Sequence, residues 1–141
     1  MTPTLFGRWQ TRLLLLLTVG VAVSIPFATG LIASSPGIVY FEILAYVAIF
    51  GLAWDIVYNQ LQKYRWDRDW PAIYQLFAGI WEMVFVWLGV GVFHLLPVPQ
   101  EVPIKVFLVH YSIVWIAVFI ASQSVMRILF PHWRFRGGRW L

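Results

Sequence analysis

PAIYQLFAGIWEMVFVWLGVGVFHLL, residues 71–96, holds one formal charge, Glu82, in a run long enough to cross a bilayer as a helix. At about 1.5 Å of rise per residue, some twenty apolar residues cover the ~30 Å of hydrocarbon. Runs of the same kind occupy residues 13–33, 38–58 and 104–130. Four such runs leave little chain for anything outside a membrane. The expected fold is an all-α integral membrane protein, with four transmembrane helices in an antiparallel up-down bundle and one domain over residues 1–141.

Composition agrees with this. Charged residues make up 11% and hydrophobic residues 61% of the chain, against about 25% charged in a soluble domain. The formal charge of +4 would suggest nucleic acid in a soluble protein. Here the basic residues flank apolar runs, which points to lipid headgroups and orientation and away from nucleic acid. Cysteine is absent, so disulfides, thiolate nucleophiles and zinc-thiolate sites are excluded.

The connections follow from local chemistry. Ser34, Ser35, Pro36 and Gly37 form a tight, uncharged link. Residues 59–70 are polar and aromatic, Asp69 suits a helix N-cap and Pro71 the first turn behind it. Pro97, Pro99 and Pro103 mark a loop, Pro131 ends the last helix, and Pro26 should kink the first. Arg8 and Arg12 resemble a basic leader, but the run behind them is too long and lacks a clear small-residue cleavage site, so a retained span is expected.

Nine of the ten Lys and Arg residues fall on one side of these runs, and Lys105 alone falls on the other. The positive-inside rule then puts both termini in the cytoplasm. The membrane expected is a bacterial plasma membrane or an internal photosynthetic one.

Ionisable groups at membrane depth are costly and normally face a bundle interior or a partner. Glu82 lies about 16 Å beyond Pro71 by helical rise, on a stripe with Gln75, Gly79, Val86 and Gly89. A structural, hydrogen-bonded acid is the favoured reading, and a proton or cation site the alternative. Asp55 continues the small-residue stripe of Ala45, Ala48 and Gly51, and Arg127 at the end of the fourth helix either pairs with it or snorkels to the headgroups, the two readings being equally supported. Glu42 and His110 lie at similar depths and could pair. If Asp55, Gln75, Glu82, Glu42 and His110 shared one interior, they would form a polar ladder.

At the basic face, Arg65, Trp66 and Arg68 in the central loop and Trp133, Arg134, Arg136, Arg139 and Trp140 in the tail are candidates for lipid or partner contact. The tail reads first as a surface anchor, with Gly137-Gly138 as a break that would release Arg139 and Trp140. No cofactor is expected. His94 and His110 are the only imidazoles placed to hold haem between helices, with no other ligand set beside them, and Asp67-Arg68-Asp69 reads as a charge-balanced turn rather than a metal site.

Without a catalytic constellation, the expected function is an accessory, assembly or scaffold subunit of a larger membrane complex, in contact with the bilayer and other membrane subunits. The alternative is a homo-oligomeric proton or ion channel or transporter built around Glu82. A lipid-acting enzyme using Asp67, Asp69 and His132 ranks last.

The lack of native cysteine makes orientation directly measurable. Ser35→Cys should react with a membrane-impermeant maleimide in intact cells, and Asp67→Cys only after permeabilisation; the reverse pattern would contradict the assigned orientation.

Overall fold

The computed structural model describes residues 2–98 and 101–141, and Pro99 of the proline loop lies outside them. Among the described residues the regular structure is entirely helical. Four helices are long and apolar enough to cross a membrane: α1 (Leu5–Ala28), α2 (Val39–Lys63), α3 (Ala72–Val92) and α4 (Ile104–Leu129). Only 22–39% of the most apolar window of each is buried in the bundle, so most of the apolar surface faces outward and needs an apolar surrounding.

The first helix departs most from its expected bounds. It starts at Leu5, two turns before residue 13, because the Thr4 hydroxyl accepts from the Gly7 amide at 3.1 Å as an N-cap. Arg8 and Arg12 therefore sit on the helix and not ahead of it. The helix also stops at Ala28, short of residue 33. Gly30 adopts φ +81°, its amide bonds to the Phe27 carbonyl, and the Leu31 amide bonds to the Pro26 carbonyl. These bonds are those of a Schellman stop, which needs a left-handed residue at the turn. A π-helical turn at Leu16–Gly20 lies between.

The other corrections are smaller. α2 runs one turn beyond residue 58 to Lys63. α3 closes in a π-helical turn, Leu88–Val92, where residue 96 was expected. His94 beyond it takes φ +48°, and the amides of Leu95 and Leu96 both bond to the Gly89 carbonyl. α4 is interrupted at Ser124 (φ −118°, ψ −74°) and resumes for Val125–Leu129.

Cross-helix bonds gather the starts of α1 and α3 with the ends of α2 and α4. Arg8 donates to Gln62 Oε1 at 2.7 Å, and Gln75 Nε2 donates to Ser122 Oγ at 3.2 Å. At the opposite end the Tyr46 hydroxyl donates to the Pro97 carbonyl, and Phe27 and Tyr40 pack edge-on against His110, each ring 5.0 Å from the imidazole. Leu15, Leu16, Ile43, Leu44, Val86, Phe107 and Val114 fill the centre.

The tail is strapped down, so Gly137-Gly138 does not release it. The Thr4 amide donates to the Gly137 carbonyl at 2.7 Å and the Thr11 hydroxyl to the Gly138 carbonyl at 2.8 Å. The Trp133 indole donates to Thr11 Oγ1 at 2.8 Å and its ring is buried. The two glycines make this approach possible because Gly137 (φ +64°) and Gly138 (φ +84°) both use left-handed backbone. Gly7 is the matching gap on α1, where an added Cβ would lie 2.1 Å from the Gly137 oxygen. Gly7→Ala should therefore cost about 1–3 kcal/mol of stability and speed trypsin cleavage at Arg134, Arg136 and Arg139. An unchanged digestion rate would mean that the strap does not hold in solution.

Candidate functional site

The deepest charges converge on one guanidinium. Arg12 lies seven residues into α1, about 10 Å along the axis, and its side chain is 16% exposed. Its Nε donates to Asp55 Oδ2 at 2.8 Å and its Nη2 to Asp55 Oδ1 at 2.9 Å, a bidentate fork. Its Nη1 donates to Glu82 Oε2 at 2.7 Å, and Nη2 also reaches Glu82 Oε1 at 3.0 Å. One cation from α1 thus joins buried carboxylates from α2 and α3. Planar, charge-assisted pairs of this kind are the strongest hydrogen bonds a protein makes.

Local sequence prepares the site. Gly51 is one turn before Asp55 on α2, and a Cβ there would lie 2.2 Å from Arg12 Nη1. Gly51 is therefore the gap in which the guanidinium lies, whereas Ala45 of the same stripe is exposed. On α3, Gly79, Glu82 and Val86 form the buried face. Arg8, one turn before Arg12, stacks over the Trp70 ring at 4.4 Å while donating to Gln62.

These contacts revise two expected pairs. Asp55 pairs with Arg12 and not with Arg127, because the longer α1 brings a cation to the depth of Asp55. Arg127 is exposed and donates to Gln123 one turn earlier on its own helix. His110 does not meet Glu42: its Nε2 is 2.9 Å from Ser24 Oγ on α1, and Glu42 Oε2 is buried without a hydrogen-bond partner. His94, the other imidazole weighed for haem, is exposed beyond the end of α3.

At the basic end, Arg65 forks onto Asp67 (3.1 and 2.9 Å) and lies over Tyr74. The hydrogen bond from Arg65 holds the Asp67 carboxyl below its usual value. Trp66 is 96% exposed. The Arg68 carbonyl accepts from Gln62, and Arg134 and Arg136 are exposed. Arg139 lies over the Phe6 ring and Trp140 packs on Phe130.

Four rungs of the polar ladder, Asp55, Gln75, Glu82 and His110, line a single cavity of about 320 Å³, and Glu42 does not. Its lining runs from Asp69, Pro71, Arg127 and Arg134 at the basic end to Leu16, Leu44 and His110 at depth. Among the described residues, none of the lining comes from 29–38 or 93–103. The described lining therefore reaches from the basic end as far as His110, whose ring packs against the fully buried Phe27 and Tyr40.

No protein-family model, curated protein or solved structure matches the chain. The reading of the site rests on its own geometry.

Arg12 and Arg8 are the residues that sequence reasoning passed over. The available signal was Thr4, a capping residue that starts the helix early enough to put both arginines on one face. Arg12→Leu should destabilise the protein by about 3–5 kcal/mol, because it leaves two buried carboxylates without a cation. The triple change Arg12→Leu, Asp55→Asn, Glu82→Gln should recover most of that loss in a thermal-unfolding assay. Equal losses in the single and triple variants would show that the ion pairs are not what the fold depends on.

Proposed function

We propose that the chain is a multi-pass membrane protein of a bacterial plasma or internal photosynthetic membrane that holds a small molecule in the cavity inside its helix bundle. On this reading the helices cross in alternating directions. The cavity opens at the end that carries most of the Lys and Arg, which the positive-inside rule assigns to the cytoplasm.

The supporting observation is the cavity itself. Its volume, about 320 Å³, falls in the range of small-molecule sites, which are mostly apolar with a few converging polar groups. Leu15, Ile43, Val47, Val114 and Val118 supply the apolar walls, and Gln75, Tyr58, Tyr111 and His110 supply polar groups along them. The Arg12 triad beside this space has its charges paired within the chain, so an occupant need not supply a counter-ion. The same pairing removes support from a homo-oligomeric channel built on Glu82, because both Glu82 oxygens are bonded to Arg12.

An accessory or scaffold role in a larger membrane complex is the second reading, favoured by an aromatic ridge. Phe50, Trp54, Trp81 and Phe85 interlock edge-to-face across α2 and α3 at 5.3–5.7 Å, with Trp81 54% exposed. Such a ridge suits a second membrane protein as well as lipid.

Native mass spectrometry of the protein taken from its membrane in mild detergent separates the two. The binding reading predicts a retained small molecule in the wild-type protein that is lost in Val114→Phe and Val118→Phe, which fill the cavity. Stoichiometric recovery of other membrane proteins, with no small molecule in the wild type, would favour the accessory role instead.

A further inference from the structure

The cavity lining is asymmetric in charge along its length. At depth, Arg12 is engaged by Asp55 and Glu82 on both flanks. At the mouth, three arginines, Arg8, Arg127 and Arg134, face one acid, Asp69. Arg8 comes from the start of α1, Arg127 from the end of α4 and Arg134 from the tail, and the strap of Trp133 onto Thr11 brings the tail to that position.

A second observation concerns hydrogen bonding. Among the described residues lining the cavity, Arg8 Nε, His110 Nδ1 and Trp115 Nε1 are buried without a hydrogen-bond partner. His110 and Trp115 lie deeper on α4, Trp115 about 18 Å before Arg127 by helical rise, and Arg8 belongs to the mouth. Arg8 Nε can only donate; a buried donor left unpaired is costly, and an acceptor oxygen on an occupant's head would satisfy it. Between mouth and floor the walls are Leu15, Leu44, Val47, Val114 and Val118, which favour a hydrocarbon body over a fully polar anion.

We propose that the cavity takes a small amphipathic anion, with its phosphate or carboxylate head at the Arg8, Arg127 and Arg134 mouth and its apolar body along the Leu15, Val47 and Val118 walls. This inference rests on the cavity reading and names the class of its occupant. A cationic amphiphile is disfavoured: it would pass three guanidiniums to reach carboxylates that Arg12 already holds. The chemistry is shared by an anionic lipid and by a soluble alkyl or aryl phosphate.

The test uses the full chain in neutral detergent, titrated separately with n-decyl phosphate, n-decyltrimethylammonium and inorganic phosphate, with heat of binding and thermal midpoint as readouts. Decyl phosphate should bind at one site per chain and raise the midpoint. Arg134→Gln, an exposed position that leaves the fold intact, should weaken it by about ten- to a hundred-fold, the loss of one charge-assisted hydrogen bond. Val118→Phe should abolish it. Binding of decyltrimethylammonium, blocked by Val118→Phe, in the absence of decyl phosphate binding would overturn the anion class and leave the cavity reading standing. Failure of both amphiphiles would overturn both. Inorganic phosphate binding as tightly as decyl phosphate would overturn the apolar half of the site. In nanodiscs, competition of decyl phosphate by phosphatidylglycerol but not phosphatidylcholine identifies a lipid head as the source, and undiminished binding identifies a soluble anion; either supports the proposal.

Discussion

A single guanidinium, that of Arg12, holds two buried carboxylates from two other helices. In apolar surroundings an unpaired charge is far more costly than the pair, so the positions of α1, α2 and α3 are coupled. Shifting one helix by a turn moves its charge by about 5.4 Å, well outside hydrogen-bond reach. The hydrocarbon faces of these helices tolerate many rotations and registers, and the triad selects one. Gly51 belongs to the same constraint, since the guanidinium occupies the space a side chain would fill.

The rest of the basic end follows from that register. With α1 fixed against α2, Arg8 reaches Gln62 and Trp70, and Thr4, Gly7 and Thr11 present the edge on which the tail closes. The tail carries Trp133 inward and Arg134 to the rim. At depth, His110 bonds Ser24 and packs against Phe27 and Tyr40. The cavity is the space left between a charged clamp, a strapped tail and an aromatic plug.

Much of the fold was legible because length and hydropathy are sufficient for spanning helices. The four apolar runs were found, and the stripe containing Gly79, Glu82 and Val86 did mark a buried face of α3. Helix ends were less legible. Thr4 as an N-cap and Gly30 as a left-handed stop are local signals, yet hydropathy outweighs them in a run of leucines and sets the first helix two turns late and one turn long. Those bounds leave Arg12 as a flanking charge, because its depth depends on where the helix begins, and they leave Arg127 as the cation within reach of Asp55. Rotation is legible where small and polar residues mark one face, as on α3, but depth alone places His110 near Glu42 although its ring turns to Ser24. The strap of the tail, a contact between residues more than 120 apart, is a tertiary fact that Gly137-Gly138 suggested only as flexibility.

The claim on which all of this rests is that Arg12 bridges Asp55 and Glu82 in one chain. Solid-state NMR of the protein in lipid bilayers, with ¹⁵N in the Arg12 guanidinium and ¹³C in the Asp55 and Glu82 carboxyls, measures those contacts directly. The structure requires strong dipolar couplings to both carboxyl carbons, as N–O separations of 2.7–3.0 Å demand. Coupling to neither carboxyl, or coupling of Asp55 to Arg127 in place of Arg12, would contradict the account.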